Sequence, residues 1–142
     1  QDFPNGELLG ENIAELIEMF CCLFDLQRVG LRLTVLDHAM CPRFHVDKIP
    51  CRLVTTFFGT GTQWLHHQIV NRDRLGAGNQ GLTDELSGLY TDLRCINTLH
   101  PGDVALLKGE SWEGNENAGL VHRSPPSSQT EKRLLLTLDF VS

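Results

Sequence analysis

Arg43-Phe44-His45-Val46-Asp47-Lys48-Ile49-Pro50-Cys51-Arg52-Leu53-Val54-Thr55-Thr56-Phe57-Phe58-Gly59 is the stretch on which the fold turns. Two short runs, 43–47 and 51–58, stand between the turn formers Pro42, Pro50 and Gly59, and the second is dense in β-branched and aromatic residues. That is the pattern of strands joined by tight connections. Similar punctuated runs recur at 31–36, 63–67, 93–98, 103–107, 119–123 and 132–140, broken by Gly61, Pro101, Gly102 and Gly109 among others. One segment differs. From Asn12 to Leu26, the residues Ile13, Leu16, Ile17, Phe20, Leu23 and Phe24 recur at steps of three and four, which predicts an amphipathic helix with one face against a sheet. Gly30 is expected to end the helical region. Many short strands with one strong helix predict a mainly β protein, a barrel or double-sheet jelly roll over about 31–141 behind a packing helix at about 10–28.

The 142 residues fit a single domain spanning 1–142, long enough to bury a core. A composition of 41% hydrophobic and 21% charged residues is that of an ordinary globular chain. The net charge of -6 lowers the case for a nucleic-acid partner, whose phosphates call for clustered Lys and Arg. No apolar run reaches membrane-spanning length and nothing reads as a signal peptide. Opening on Gln1 rather than Met fits a processed, trimmed or partial version of a longer protein. Cys21, Cys22, Cys41, Cys51 and Cys95 are odd in number and lack C-x-x-C spacing, so the expectation is free thiols in a reducing cytoplasm.

Side chains alternate along a strand with period two, so His45 and Asp47 point the same way. A second histidine from a distant strand, His122, completes a candidate metal set of two neutral imidazoles and one carboxylate. This 2-His-1-carboxylate arrangement leaves coordination positions open and suits non-haem Fe(II) that activates dioxygen. Three irregular stretches, Asn71–Gly88, Glu110–Ala118 and Ser124–Glu131, are expected to form loops, and the latter two flank His122 as the mouth of an active site would. Trp64, His66 and Arg123 are further candidates for the pocket wall.

After His45-x-Asp47 and His122, Arg133 opens the apolar run Leu134–Phe140, and Pro101-Gly102-Asp103-Val104-Ala105-Leu106-Leu107 precedes Leu120-Val121-His122-Arg123. This order resembles the Fe(II)- and 2-oxoglutarate-dependent dioxygenases, over roughly residues 31–140. The resemblance implies a cupin-type double-stranded β-helix, Fe(II) held by His45, Asp47 and His122, and hydroxylation of a substrate using O2. It further implies that Arg133 binds the distal carboxylate of 2-oxoglutarate through its planar fork. Where those enzymes often carry Ser or Thr two residues after the Arg, this chain has Leu135, and Thr137, of the same strand parity, is the substitute. Arg133 beside Glu131 and Lys132 also reads as an ordinary strand-end cation. Cys41-Pro42-Arg43-Phe44-His45-Val46-Asp47 and Gly119-Leu120-Val121-His122-Arg123-Ser124-Pro125 look like a small bacterial family of unassigned function, which implies no activity.

The main alternative is a non-catalytic, cupin-like metal-binding or sensing module. There Cys41 or His38 joins His45 around zinc in a closed tetrahedral shell. A structural β-domain that binds a partner protein is the third reading. Gly109-Glu110-Ser111-Trp112-Glu113 misses the G-x-S-x-G nucleophile elbow at its fifth position, and no P-loop or complete dinucleotide fingerprint is present. Small molecules and peptides both remain open as substrates, as does the oligomeric state.

Overall fold

The computed structural model describes residues 6–37, 43–126 and 132–141. One helix, α1 (Gly6–Phe24), precedes seven strands: β1 (Val29–Leu36), β2 (Cys51–Phe58), β3 (Gln63–Leu65), β4 (Asn97–Thr98), β5 (Val104–Lys108), β6 (Val121–Arg123) and β7 (Arg133–Phe140). The strands form two antiparallel sheets, one ordered β1-β7-β2-β5 and the other β4-β3-β6. At the free edge of β6, His45 adds a single-residue antiparallel bridge to His122.

Alternation along β7 sets the layers. Leu134, Leu136 and Leu138 are fully buried, and Leu136 and Leu138 pack with Leu53 beneath Phe20 of α1. Ile13, Leu16, Ile17 and Phe24 add the rest of the helix stripe, so the 3.6-residue period of α1 meets the two-residue period of the sheet. Phe20, Phe24 and Phe140 stack edge-on or tilted with centroids 5.0–5.6 Å apart, and Trp112 closes on Phe24 at 5.6 Å. The opposite face of the same sheet carries Leu135 and Thr137, with Arg32 and Thr34 of β1 and Arg52 and Val54 of β2 beside them in register.

The second sheet divides in the same manner. Leu65 and Val121 face a cluster with Phe44, Leu89 and Tyr90, so the insertion after β3 covers its outer side. Directly opposed residues share a face, so Trp64, His122 and His45 lie in one row on the other side. That row looks across at the first sheet.

The expected elements exist, with revised limits. α1 starts earlier and stops at Phe24, because Asp25 adopts a left-handed conformation (φ 53°) and the Leu26 N–H donates to the Cys21 carbonyl at 2.8 Å. Gly30 does not end the helical region; it sits within β1 opposite Asp139. The run 93–98 shrinks to a two-residue strand after a single 3-10 turn at Leu93–Cys95, and 63–67 stops at Leu65 before another such turn at His67–Ile69. Among the described residues the run 43–47 makes only the His45 bridge, since the Phe44 N–H is taken by the Asp84 carboxylate at 3.1 Å instead of a neighbouring strand. The stretch 71–88 is a loop with short 3-10 turns at Arg72–Arg74 and Gly76–Asn79. Among the described residues no ladder joins the two sheets, so they are open rather than closed into a barrel. No helix among the described residues is long and apolar enough to cross a membrane.

Candidate metal centre

His45, Asp47 and His122 come together, with one potential ligand atom from each lying within 4.8 Å of the others. His45 Nε2 is 3.6 Å from Asp47 Oδ1, and His122 Nε2 is 3.4 Å from Asp47 Oδ2. Reciprocal backbone bonds hold the two histidines side by side: each N–H donates to the other's carbonyl at 3.0 Å. Their rings lie 4.6 Å apart. Asp47 is fixed through its carbonyl, which accepts the Glu110 N–H at 2.9 Å.

Ring orientation is set one layer further out. His45 Nδ1 bonds the Arg43 carbonyl and His122 Nδ1 bonds the Leu120 carbonyl, both at 2.9 Å. A carbonyl only accepts, so each Nδ1 carries the hydrogen and each neutral ring turns its Nε2 lone pair toward Asp47. Two lone pairs aimed at a carboxylate repel it unless a proton or a cation lies between them. Asp47 Oδ2 is buried without a hydrogen-bond partner, an arrangement that is costly in an uncompensated site. Nitrogen and oxygen donors thus converge on one point with their outer hydrogen bonds satisfied, as metal-ligating histidines have.

The electrostatics agree. Burial pushes the Asp47 carboxyl upward, but His122, His45 and the Arg52 guanidinium outweigh it and hold the group well below the usual carboxylate range. The Asp47 carboxylate raises the pKa of His45, with burial opposing. Arg52 Nη1 stands 3.6 Å from Asp47 Oδ2 while its Nε and Nη2 donate to Asp139 at 2.7 and 3.2 Å.

A cavity of about 90 Å³ opens on the two histidines between the sheets. Arg32, Thr34, Arg52, Val54, Leu107, Leu135 and Thr137 line it from the first sheet, and Thr62, Arg123 and Ser124 from the second sheet's side. Thr137 therefore reaches the cavity as its parity requires. Arg133 is buried at the start of β7, where its Nε donates to the Thr60 carbonyl at 2.6 Å and its Nη1 to Ser124 Oγ at 3.4 Å; it is not among the lining residues. Trp64 belongs to an adjoining apolar cavity of about 200 Å³, which shares Thr62 and Leu107 with the first. His66 is exposed and packs edge-on against Trp64, 4.6 Å between ring centroids. His38 and Cys41, the zinc alternative, lie outside the described residues.

A residue that the sequence did not single out, Asp84, braces the centre together with Arg123. Asp84 Oδ2 accepts the Phe44 N–H at 3.1 Å and Arg123 Nη1 at 2.9 Å, so one carboxylate holds the neighbours of both histidines. Arg123 also donates to Gln63 at 2.8 Å and lies 4.2 Å over the Phe44 ring. The Arg43 guanidinium donates to the Leu82 carbonyl. Nothing in a polar, glycine-bearing stretch marks Asp84 as such a brace. Arg52 carries a faint signal, the lone charge in the strand Cys51–Phe58.

This site defines a protein of mainly β architecture with a candidate mononuclear metal centre between two sheets. The chain belongs to the family described as Protein of unknown function (DUF1826), which it matches over residues 1–139. No curated protein and no solved structure matches it.

Proposed function

We propose that the chain is a non-haem Fe(II)-dependent oxygenase that uses O2 and 2-oxoglutarate to hydroxylate a substrate, on a double-stranded β-helix. The observation that carries this reading is the paired setting of His45 and His122, each pinned through Nδ1 with Nε2 turned toward Asp47. Two imidazoles and one carboxylate are a donor set that fits Fe(II) and leaves room for other ligands. When bound, Fe(II) supplies the redox chemistry by which dioxygen is activated. The protein's part is to hold both rings through Nδ1 with Nε2 turned inward, to keep Asp47 ionised, and to limit water through the small cavity above them. The apolar cavity beside Trp64, Leu99 and Leu120 offers a place for the carbon skeleton to be oxidised.

The strand order supports the fold part of the reading. Counting the His45 bridge as a strand between β1 and β2, consecutive strands pass back and forth between the two sheets, apart from the β3–β4 pair. Such alternation is expected of a jelly roll made from two Greek keys.

One observation favours the second reading, a metal-binding or sensing module without catalysis. A cavity of about 90 Å³ is small beside the roughly 300–1,000 Å³ of most ligand pockets. Anaerobic titration of Fe(II)-loaded protein with 2-oxoglutarate separates the two. A visible metal-to-ligand charge-transfer band is expected from keto-acid chelation. Bound iron without that band would replace the oxygenase by the module.

A further inference from the structure

The apolar cavity that adjoins the metal cavity differs from it in chemistry. Its volume is about 200 Å³, and Trp64, Leu99, Ala105, Leu107 and Leu120 wall it, with Thr62 as its one hydroxyl and no charged side chain among the described residues. Alternation along β5 turns Ala105 and the buried Leu107 inward and leaves Val104 and Leu106 exposed on the opposite face. Trp64 stands directly opposite His122 in the β3–β6 ladder, a pairing that sets Cβ atoms about 4.5–5.5 Å apart on one face. Thr62 and Leu107 line both cavities, so the two spaces meet there. Backbone contacts fix the walls. The Leu99 N–H donates to the Thr62 carbonyl at 2.9 Å, a Cβ at Gly61 would strike the Leu99 carbonyl, and the Leu120 N–H donates to the Lys108 carbonyl at 3.0 Å.

We propose that this cavity takes an uncharged hydrocarbon group of the size of one six-membered ring and holds it beside the metal centre, so that the substrate is a molecule carrying such a group. The inference rests on the oxygenase reading above for the role of substrate and deepens it by naming the substrate's class. The lining decides the chemistry. A charged or strongly polar group would lose its hydration and gain no partner from Leu99, Ala105, Leu107 or Leu120. Size sets the other limit: an apolar cavity of about 150 Å³ stays dry and binds benzene, so one of about 200 Å³ accepts a single ring. The Trp64 indole, held by His66 with 4.6 Å between ring centroids, offers an aromatic wall against which a ring packs offset or edge-on.

Toluene is the probe. Trp64 and Trp112 are the two tryptophans of the chain, so in Trp112→Phe the emission of Trp64 alone reports binding. The expected result is saturable binding with a Kd of about 1 mM or tighter, the scale of burying one ring. Benzylammonium, the same ring with a charge, should bind at least about tenfold more weakly. Ala105→Phe, which puts a ring of the protein's own into the cavity, should weaken toluene by at least about tenfold as well. N-acetylphenylalaninamide run alongside assigns the source: competition with toluene admits a peptide side chain, and its absence restricts the ligand to free small molecules. Proximity to the centre is read in the unsubstituted chain, so it stands even if Ala105→Phe fails to fold. Toluene protons should relax faster with paramagnetic Co(II) bound than with diamagnetic Zn(II). Failure to bind either ion overturns the metal reading, while the Trp64 titration still decides the cavity. Unchanged Trp64 emission, equal affinity for benzylammonium, undiminished binding to folded Ala105→Phe, or equal relaxation with both ions overturns the proposal. The groove of Met19, Leu23, Val104 and Leu106 beside α1 would then be the seat of any bound toluene.

Discussion

His45 and His122, seventy-seven residues apart in the chain, exchange both of their backbone hydrogen bonds at 3.0 Å. This one bridge aligns two imidazoles whose Nδ1 atoms are separately tied to Arg43 and Leu120. Among the described residues it is the only ladder contact of the 43–47 segment, so the candidate ligands themselves mark where that segment touches the sheet. Replacing either histidine or Asp47 with Ala should therefore abolish tight, stoichiometric binding of Fe(II) or Co(II), a larger loss than the roughly 10–100-fold that outer partners contribute. Metal analysis after dialysis checks it, and full metal retention in any of the three variants would exclude this ligand set.

The pH response should have opposite signs with and without metal. The Asp47 carboxylate raises the folded-state pKa of His45 above its ordinary 6.5. The stability this contributes to the metal-free protein is complete below that value and fades as pH rises through the higher folded one. Metal requires the neutral ring, so affinity climbs across the same window. Thermal melts from about pH 5.5 to about pH 8.5 should show a metal-induced rise in Tm that grows with pH. A constant increment would remove His45 from the site.

Asp84 and Arg123 are both buried, and the Asp84 carboxylate binds Arg123 and the Phe44 backbone. Breaking a buried pair by removing one partner costs about 3–5 kcal/mol. Asp84→Ala should lose stability on that scale. The milder Asp84→Asn should fold and bind Co(II) about 10–100-fold more weakly, the loss expected of outer partners. Urea unfolding and metal titration report the two effects separately, and unchanged affinity in Asp84→Asn would reduce this carboxylate to a purely structural brace.

Gly109 passes so close behind Asp47 that a Cβ there would collide with the Ile49 carbonyl and stand 2.8 Å from that of Asp47. Gly109→Ala should destabilise by about 1–3 kcal/mol through overpacking. It should also weaken metal binding, because the backbone that must yield is the one carrying the ligand. Wild-type affinity in this variant would mean that the loop absorbs the methyl group without moving Asp47.

Phe20 tests the converse. It is buried under α1 on the face of the first sheet away from the cavity, and Phe20→Ala should cost about 3–5 kcal/mol. Metal stoichiometry of the folded fraction should persist, as measured by metal analysis after size-exclusion separation. Loss of metal from folded Phe20→Ala protein would show that the helix and the centre are coupled.

The sequence by itself determined the elements and the candidate ligands. The three- and four-residue spacing of Ile13, Leu16, Ile17 and Phe20 specifies a helix, and the apolar runs between Pro and Gly specify strands, because both signals are local. The His-x-Asp spacing put two ligands on one side of an extended segment for the same reason. Tertiary structure alone decided the rest. The pairing of His45 with His122, the bracing by Asp84, and the placement of Arg32 at the cavity with Arg133 tied to Thr60 all join residues distant in the chain. Contacts of that kind are fixed by sheet register and by the burial of charge against its partner, and neither leaves a periodic trace in the sequence.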